Sequence, residues 1–279
     1  MVASVGNKNL GTQSLWPASS AESQVVSNSP FAEARTLEAM RTRPQVIFFD
    51  AAGTLFEVRG SVGQIYSRIA GQYGCEADAE HLQQNFARWF RLQPPMAFPP
   101  GTDENKLREM EKGWWRNLVR AVFADCGPFP HFEEFFDDVF EQFRNAELWR
   151  VYEDVVPALT ELKRLGIRLG VISNFDSRLY DVLRACKLDH FFDSVHISTR
   201  VGAAKPDRAI FLAALNYHRI EPGQAWHVGD SLREDVEGAR AAGLRAFLVD
   251  RRGEQDSAAD HAILSSLSQL LELCPGAFS

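Results

Sequence analysis

The stretch VIFFDAAGTLFEV, residues 46–58, decides the fold of this 279-residue chain. Its apolar first part, Val46–Phe49, predicts a strand buried on both faces, as strands of parallel sheets are. One carboxylate, Asp50, follows at once and leads into a turn of small residues, 51–54. The pattern predicts a nucleophile at the end of a strand, but Ala52 holds a methyl group where a second carboxylate would be expected.

Short apolar runs alternate with helical stretches from Pro44 onward, which is typical of an α/β fold with a parallel sheet. Five runs predict strands: QVIFFD (45–50), IRLGVIS (167–173), FDSVHIS (192–198), AWHVGD (225–230) and LRAFLVD (244–250). Four stretches have helical apolar spacing: VVPALTELKRLG (155–166), DSRLYDVLRACKL (176–188), DRAIFLAALNYH (207–218) and EDVEGARAAG (234–243). Gly166 is predicted to end the first of these helices and Asp176 to cap the second. AILSSLSQLLEL (262–273) closes the chain.

Residues 61–149 contain no convincing buried strand and predict a helical cap domain, because the segment is too long for a loop. Four stretches in it are amphipathic at helical spacing: 61–74, 79–92, 104–127 and 132–143. Its aromatic residues include Trp89, Phe90, Trp114, Trp115, Phe123, Phe135, Phe136, Phe140 and Phe143. We expect them to fill the core of a four-helix cap, in preference to lining a ligand cavity.

The N-terminal segment, residues 1–43, differs from the rest because it is rich in Ser, Asn, Gly and Gln and has no periodicity. It predicts disorder, and a translation start at Met40 is an alternative. No apolar segment typical of a secretory signal is present in it. The predicted core then comprises residues 44–60 and 150–279, on either side of the cap.

Composition limits the partners and the compartment. The chain is 45% hydrophobic with a net charge of −7, an acidic balance that argues against nucleic acid or an anionic membrane as the main partner. Its four cysteines lie far apart without a CxxC pair, so structural zinc and a disulfide framework are poor interpretations. A reduced, cytoplasmic protein is the expectation. The sequence gives no indication of oligomeric state.

Polar residues collect at the carboxyl ends of four predicted strands, where open α/β sheets bind ligands. Each group is a weak signal alone, but four in order form a strong one. In chain order the groups are Asp50, Gly53 and Thr54; Ser173 and Asn174; Lys205 and Pro206; and Gly229, Asp230 and Ser231, with Asp235 five residues beyond Asp230.

These residue types suit phosphoryl transfer. A carboxylate such as Asp50 can attack phosphorus and form an aspartyl-phosphate, which divides one hard displacement into two easier ones. Lys205 would neutralise charge and steady that nucleophile. Hydroxyl, amide and backbone N–H groups would hold the phosphate, and hard oxygen ligands would bind Mg²⁺. The phosphate-binding residues predicted are Gly53, Thr54, Ser173, Asn174 and Lys205; the predicted metal ligands are Asp50, the Ala52 backbone carbonyl, Asp230 and Asp235, the last directly or through water.

The segments DAAGTL, VISN, KP and GDSLREDVEGARAAG resemble the four motifs of the haloacid dehalogenase superfamily, in the same order, over roughly residues 45–250. A helical cap between the first two motifs is the arrangement of its subfamily IA. GTLFEVRGSVGQIYSRIAGQYG and GWWRNLVRAVF resemble the REG-2-like branch, that of haloacid dehalogenase-like hydrolase domain-containing protein 3. The resemblance implies a Rossmann-like core, a Mg²⁺-dependent phosphatase activity and a small phosphorylated metabolite as substrate.

The resemblance also implies a nucleophile at Asp50, a phosphate ligand at Ser173, the motif lysine at Lys205 and an acidic motif farther along the chain. Superfamily phosphatases carry a general acid/base Asp two residues after the nucleophile, and Ala52 departs from that pattern. Loss of a positioned general acid costs roughly 10²–10⁴ in rate. Glu57 and Arg59, just past the turn, are the nearest possible substitutes, although solvated residues at the cap hinge are the plainer interpretation.

Three functions therefore remain open from the sequence. The favoured one is a phosphatase restricted to good leaving groups, such as acyl or aryl phosphates. The second is a catalytically weakened or inactive protein that binds phosphate or another ligand. A 2-haloacid dehalogenase ranks lowest because true dehalogenases carry a tyrosine at the position of Ala52 and lack the acidic pair Asp230 and Asp235.

Overall fold

A computed structural model of the protein describes residues 43–253 and 262–274. Six strands form one sheet in which every neighbouring pair is parallel. In chain order they are β1 (Val46–Phe49), β4 (Arg168–Ser173), β5 (Ser194–Ile197), β6 (Ala225–Gly229), β7 (Arg245–Val249) and β8 (Ala262–Leu264), and their order across the sheet is β5-β4-β1-β6-β7-β8. The predicted Rossmann-like α/β fold is confirmed.

Strand β1 lies at the centre of the sheet and pairs with β4 on one side and β6 on the other. All four of its residues are fully buried. Ile47 and Phe49 face one apolar cluster, while Val46 and Phe48 face another, because successive side chains of a strand point to opposite faces. The uniformly apolar run is explained by burial on both faces.

Helices cover both faces of this sheet. Those along the core are α5 (Val155–Arg164), α6 (Arg178–Ala185), α7 (Ser198–Val201), α8 (Arg208–His218), α9 (Gly238–Ala241) and α10 (Gln269–Leu273). Helices α5, α6 and α10 contribute to the cluster around Ile47, and α8 and α9 to the cluster around Val46. A π-helical turn, Leu232–Glu237, precedes α9.

Four helices lie between β1 and the rest of the core: α1 (Val62–Gln72), α2 (Ala79–Leu92), α3 (Glu104–Val122) and α4 (Phe132–Gln142). Helix α1 begins with a reciprocal capping box, in which Ser61 and Gln64 each bond the backbone N–H of the other at 3.1 Å. A two-stranded antiparallel ribbon, β2 (Phe56–Val58) with β3 (Trp149–Val151), joins the two ends of this helical segment. The ribbon was not predicted, and the domain boundary at 61–149 stays a prediction.

Two other features differ from expectation. Strand β8 was not predicted, and its segment 262–273 divides into this strand and the short α10. The N-cap of α6 is Ser177, although Asp176 Oδ1 does accept a hydrogen bond from Arg178 N at 2.8 Å. The predicted disordered segment lies outside the described residues, apart from residue 43.

Within the described residues, no helix combines the length and apolar character needed to cross a membrane.

Candidate active site

The carboxyl ends of the three central strands bring the predicted motifs together. Asp50 follows β1, and its backbone N–H donates to Val228 O of β6 at 2.9 Å. Ser173 is the last residue of β4, and Asp230 follows the last residue of β6. Because these strands are parallel neighbours, their ends lie along one edge of the sheet, beside Lys205.

Lys205 forms the charged centre of the site. Its Nζ donates to Asp50 Oδ1 and to Asp235 Oδ1, both at 2.6 Å, and all three side chains are buried. Burial opposes the charge on Lys205, but the two carboxylates raise its pKa, so the ammonium form is retained. Burial also raises the pKa of Asp50, against the opposing effect of Lys205. Asp235 resists protonation because Lys205 and His227, despite burial, hold its pKa well below the usual range.

Asp230 completes a cluster of three carboxylates. One oxygen from each of Asp50, Asp230 and Asp235 lies within 4.8 Å of the other two. Burial, together with the negative charges of Asp50 and Asp235, raises the pKa of Asp230 to about 7. Hard divalent cations such as Mg²⁺ bind carboxylate oxygens of this kind. The negative charge of the three carboxylates exceeds the positive charge of Lys205, so the residues present fit the ion.

Two glycines let the backbone approach these carboxylates. A Cβ on Gly53 would lie 2.2 Å from Asp230 Oδ2. Gly53 also has φ +94°, a backbone conformation that residues other than glycine rarely adopt. A Cβ on Gly229 would lie 2.1 Å from Asp235 Cγ. Both positions therefore require glycine for steric reasons.

His227, which was not among the predicted site residues, forms a hydrogen bond with Asp235 and so fixes the position of that carboxylate. The imidazole is fully buried in β6, and its Nε2 lies 2.9 Å from Asp235 Oδ1. The second carboxylate oxygen of Asp235 accepts from Ser231 N at 3.0 Å. The only signal in the sequence was a polar residue inside the apolar strand AWHVG. With both oxygens bonded, Asp235 is better placed to support a metal shell than to supply a free ligand atom.

Asn174, directly after β4, links the end of that strand to the backbone of Lys205. Its Nδ2 donates to Lys205 O at 2.9 Å, and its Oδ1 accepts from Lys205 N at 2.7 Å. Nδ2 also donates to Glu234 Oε2 at 3.1 Å, and burial raises the pKa of Glu234. Because the amide is used in these bonds, Asn174 positions Lys205 more directly than it offers a group to phosphate.

The other predicted residues differ in their access to the site. Ala52, Gly53 and Ser173 line the cavity beside Asp50, and the Ala52 side chain is exposed. Thr54 is fully buried, is not part of the cavity wall, and its Oγ1 has no hydrogen-bond partner among the described residues. The hydroxyl of Thr54 is therefore not presented to a ligand in this arrangement.

The possible substitute acids are engaged elsewhere. Glu57 lines the cavity, but it pairs with Arg150 across the ribbon and accepts from Tyr152 Oη at 3.1 Å. Burial opposes ionisation of Glu57, yet the hydrogen bonds from Arg150 and Tyr152 lower its pKa, which does not suit a general acid. Arg59 donates to the backbone oxygens of Glu147 and Trp149 and is not part of the cavity wall.

A cavity of about 840 Å³ opens from Asp50 toward the cap helices. The predicted cap aromatics divide into two groups. Trp89, Phe123 and Phe135 pack in the cap core and are not part of the cavity wall, as expected. The other six of the nine line this cavity, which is the alternative arrangement considered for them: Phe90, Trp114, Trp115, Phe136, Phe140 and Phe143.

Comparison with known sequences gives a consistent result. The profile of a family described as "Hydrolase: haloacid dehalogenase-like hydrolase" matches residues 44–243. A Bos taurus protein named haloacid dehalogenase-like hydrolase domain-containing protein 3 is 32% identical over 240 residues, which cover 84% of this chain and 94% of the relative. The branch resemblance read from the early cap region is thereby supported.

Solved structures with the same fold include a phosphatase and a dehalogenase. A haloacid dehalogenase-type phosphatase from Thermococcus onnurineus superposes with a TM-score of 0.58 at 23% identity, covering 82% of this chain and 97% of that one. A 2-haloacid dehalogenase from Pseudomonas syringae pv. tomato has a TM-score of 0.59 at 26% identity, with the same coverage. The fold therefore does not distinguish the two reactions, and the residues at the site decide the chemistry.

Proposed function

Because the chain belongs to the haloacid dehalogenase-like hydrolase family, we propose that it is a Mg²⁺-dependent phosphohydrolase that takes a phosphoryl group onto Asp50. One observation carries the proposal: Lys205 Nζ bonds both Asp50 and Asp235 at 2.6 Å, next to the third carboxylate of Asp230. A dehalogenase needs no such acidic cluster, so the retained carboxylates favour phosphate as the substrate group.

Asp50 and Asp230 would hold the metal ion, with the Ala52 backbone carbonyl as the third protein ligand. Asp235 would support this set of ligands. Mg²⁺, when bound, would offset the negative charge shared between the phosphate and the carboxylates. The remaining roles belong to the chain itself. Lys205 fixes the orientation of Asp50, while Ser173 and the turn amides donate hydrogen bonds to the phosphate oxygens.

The reaction has two displacements. An Asp50 carboxylate oxygen forms a bond to phosphorus, and the phosphorus–oxygen bond to the leaving group breaks, with the electron pair departing on that oxygen. Water then attacks the phosphorus, which releases inorganic phosphate, regenerates the Asp50 carboxylate and yields a proton. Neither displacement has a proton donor or acceptor at position 52, so we expect activity on leaving groups that depart without a proton.

Ala52 also favours a second candidate function, a phosphate-binding protein with little or no turnover. The missing residue is the one that would activate water for the second displacement, so phosphate transfer could stop at the aspartyl-phosphate. Such a protein would keep its Mg²⁺ and phosphate affinity. The two candidates differ in turnover and not in binding.

The test is phosphate release from acyl, aryl and alkyl phosphates, with Mg²⁺ and with EDTA, with Asp50→Asn as the blank. Mg²⁺-dependent release that Asp50→Asn abolishes is the expected result. Release that is unchanged in Asp50→Asn would overturn the proposal. Mg²⁺ binding without release above the blank, measured by titration calorimetry, would favour the binding protein.

A further inference from the structure

The cavity at Asp50 is much larger than a phosphate group requires. Its volume of about 840 Å³ lies within the range of pockets that enclose whole small molecules, roughly 300–1,000 Å³. Asp50 and Lys205 are part of its wall, so a phosphate bound there would place the rest of its ester in this space. The side chains of the remaining wall therefore select the leaving group.

Aromatic rings from the cap form much of the apolar part of that wall. Phe86 and Phe90 stack with ring centroids 5.4 Å apart, and Phe90 approaches the rings of Trp114 and Trp115 at 5.9 and 6.2 Å. The indole N–H of Trp114 donates to Pro94 O at 3.0 Å, and that of Trp115 donates to Asp176 Oδ2 at 2.5 Å. Neither N–H requires a partner from a ligand, so these residues offer ring surface, which favours an aromatic body.

Charged groups in the wall are mostly committed to protein partners. Arg178 is buried, bonds Asp176 and Phe140 O, and lies over the Phe140 ring at 3.9 Å. Glu57 is paired with Arg150. Outside the phosphate site the remaining charged wall residues are Glu234, bonded by Asn174, and the exposed Arg91 and Arg233. A highly hydroxylated leaving group, such as a sugar, would find few polar partners here and would leave its own hydroxyls unpaired.

The absence of an acid at position 52 independently favours an aryl leaving group. A phenol ionises near pH 10, as tyrosine does, so a phenolate departs far more readily than an alkoxide without a proton donor. An acyl phosphate loses a carboxylate, which departs still more readily, but an aliphatic acyl group such as that of acetyl phosphate would not use the aromatic wall. An aryl ester satisfies both constraints, since its leaving group is itself the aromatic body.

We propose that this cavity binds the aromatic leaving group of an aryl phosphate, with the phosphate at Asp50 and the ring system against Phe90 and the adjacent tryptophans. The inference rests on the proposed phosphohydrolase function and specifies its substrate class. In the first displacement the aryl oxygen departs as a phenolate and takes its proton from water after release.

The experiment compares kcat/KM for 1-naphthyl phosphate, phenyl phosphate and acetyl phosphate in the presence of Mg²⁺. We expect 1-naphthyl phosphate to exceed phenyl phosphate by about tenfold or more, since one additional apolar group in a pocket is worth roughly 10–200-fold. Phe90→Ala should lower the ratio of naphthyl to acetyl phosphate activity. Phe90 is 42% exposed, so its truncation should leave the fold intact. The matched control is Leu92→Ala, on the same helix, 64% exposed and outside the cavity wall.

The outcomes separate this inference from the proposed function. Hydrolysis of acetyl phosphate without a preference for naphthyl, or a ratio that Phe90→Ala leaves unchanged, would overturn the aryl assignment and leave the phosphohydrolase standing. No hydrolysis of any of the three phosphates above Asp50→Asn would overturn the proposed function. Calorimetric binding of 1-naphthyl phosphate to Asp50→Asn, weakened by added Phe90→Ala, would then still support the aryl assignment, and equal affinity for phenyl phosphate would refute it.

Discussion

Lys205 Nζ lies 2.6 Å from Asp50 Oδ1, and both side chains are buried at the carboxyl edge of the sheet. The same nitrogen lies 2.6 Å from Asp235 Oδ1, so one ammonium group pairs with two carboxylates. Removing one partner of a buried ion pair leaves the other charged groups without compensation, which costs more than the pair itself contributes. The lysine therefore links the stability of the site to its chemistry.

Lys205→Met should lower both stability and activity. We expect a loss of roughly 3–5 kcal/mol in the free energy of unfolding, because two buried carboxylates lose their cation. Turnover should fall by about 10²–10³, the cost of removing one charge-stabilising donor. Urea denaturation and phosphate release measure the two effects.

A double variant distinguishes the ion pair from simple packing. Asp50→Asn in combination with Lys205→Met should be more stable than Lys205→Met alone, since one uncompensated charge has been removed. Additive effects of the two substitutions would contradict a direct interaction. Lys112→Met, which removes a half-exposed lysine paired with Asp137 in the cap, serves as the control and should change little.

Ala52→Asp should extend activity to alkyl phosphates. The Ala52 side chain is exposed in the cavity beside Asp50, so a carboxyl group there could reach the leaving oxygen. We expect a gain of roughly 10²–10⁴ in turnover on an alkyl phosphate and a smaller gain on an aryl phosphate. Ala52→Asn has nearly the same shape without the acid and should give no gain; an equal gain in both variants would exclude proton transfer as its cause.

Gly53→Ala should damage the metal site as well as the backbone. The added methyl group would lie 2.2 Å from Asp230 Oδ2 at φ +94°. Gly74, in the cap, has φ +78° with no atom within 4 Å of the place that a methyl group would take, so Gly74→Ala has the backbone strain alone. Each variant should lose about 1–3 kcal/mol from strain. Only Gly53→Ala should require more Mg²⁺ for half-maximal phosphate release, and equal Mg²⁺ dependence would contradict this role of Gly53.

Much of this architecture could be predicted because it depends on local patterns. The run Val46–Phe49 is apolar at every position since β1 is central and covered on both faces, and the motif residues follow strands whose ends must share one edge. Strands β2 and β8 have three residues each, too few for a periodic pattern to develop. Their pairing depends on where distant segments meet.

The site residues that escaped prediction act through contacts between distant parts of the chain. His227 is one polar residue in an apolar strand, and its importance depends on Asp235, which the π-helical turn brings back over β6. Thr54 has the residue type expected for phosphate binding, but its side chain is turned into the interior. Residue type and position along the chain do not specify the direction of a side chain.

Asp176 and Glu111 should make pH-dependent contributions to stability of opposite sign. Burial disfavours the charge on Asp176, but Arg178 lowers its pKa below the ordinary 3.8. Its contribution is present above that pH and is lost as the pH falls through the lowered value. Burial raises the pKa of Glu111 above 4.5, so stability from that group declines as the pH rises through the raised value.

The matched variants test these signs. Asp176→Asn should cost more stability at about pH 7 than at about pH 3, while Glu111→Gln should cost less at the higher pH. Urea unfolding of each variant against the unsubstituted protein at both pH values measures the difference. The same pH trend in both variants would refute the assignment.

Arg251 should act as a positioning residue for the turn that follows the nucleophile Asp50, residues 51–54. Its guanidinium donates to Thr54 O at 2.7 Å and to Asp154 Oδ1 at 2.9 Å, and it lies 3.8 Å from the ring centroid of Tyr152. Arg251→Met keeps an apolar stem against Tyr152 but removes the bond to Thr54 O. We expect kcat to fall about tenfold, the equivalent of one hydrogen bond to a charged donor, with little change in KM.

Partial rescue separates positioning from general destabilisation. Arg251→Lys should recover part of kcat, since an ammonium group can still donate to one of the two acceptors. Asp154→Asn provides the contrast: Asp154 also accepts from Leu267 N at 2.6 Å and Ser266 Oγ at 2.8 Å, so its loss should lower the midpoint of unfolding more than it lowers kcat. If Arg251→Met and Asp154→Asn changed stability and kcat in the same proportion, Arg251 would have only a structural role.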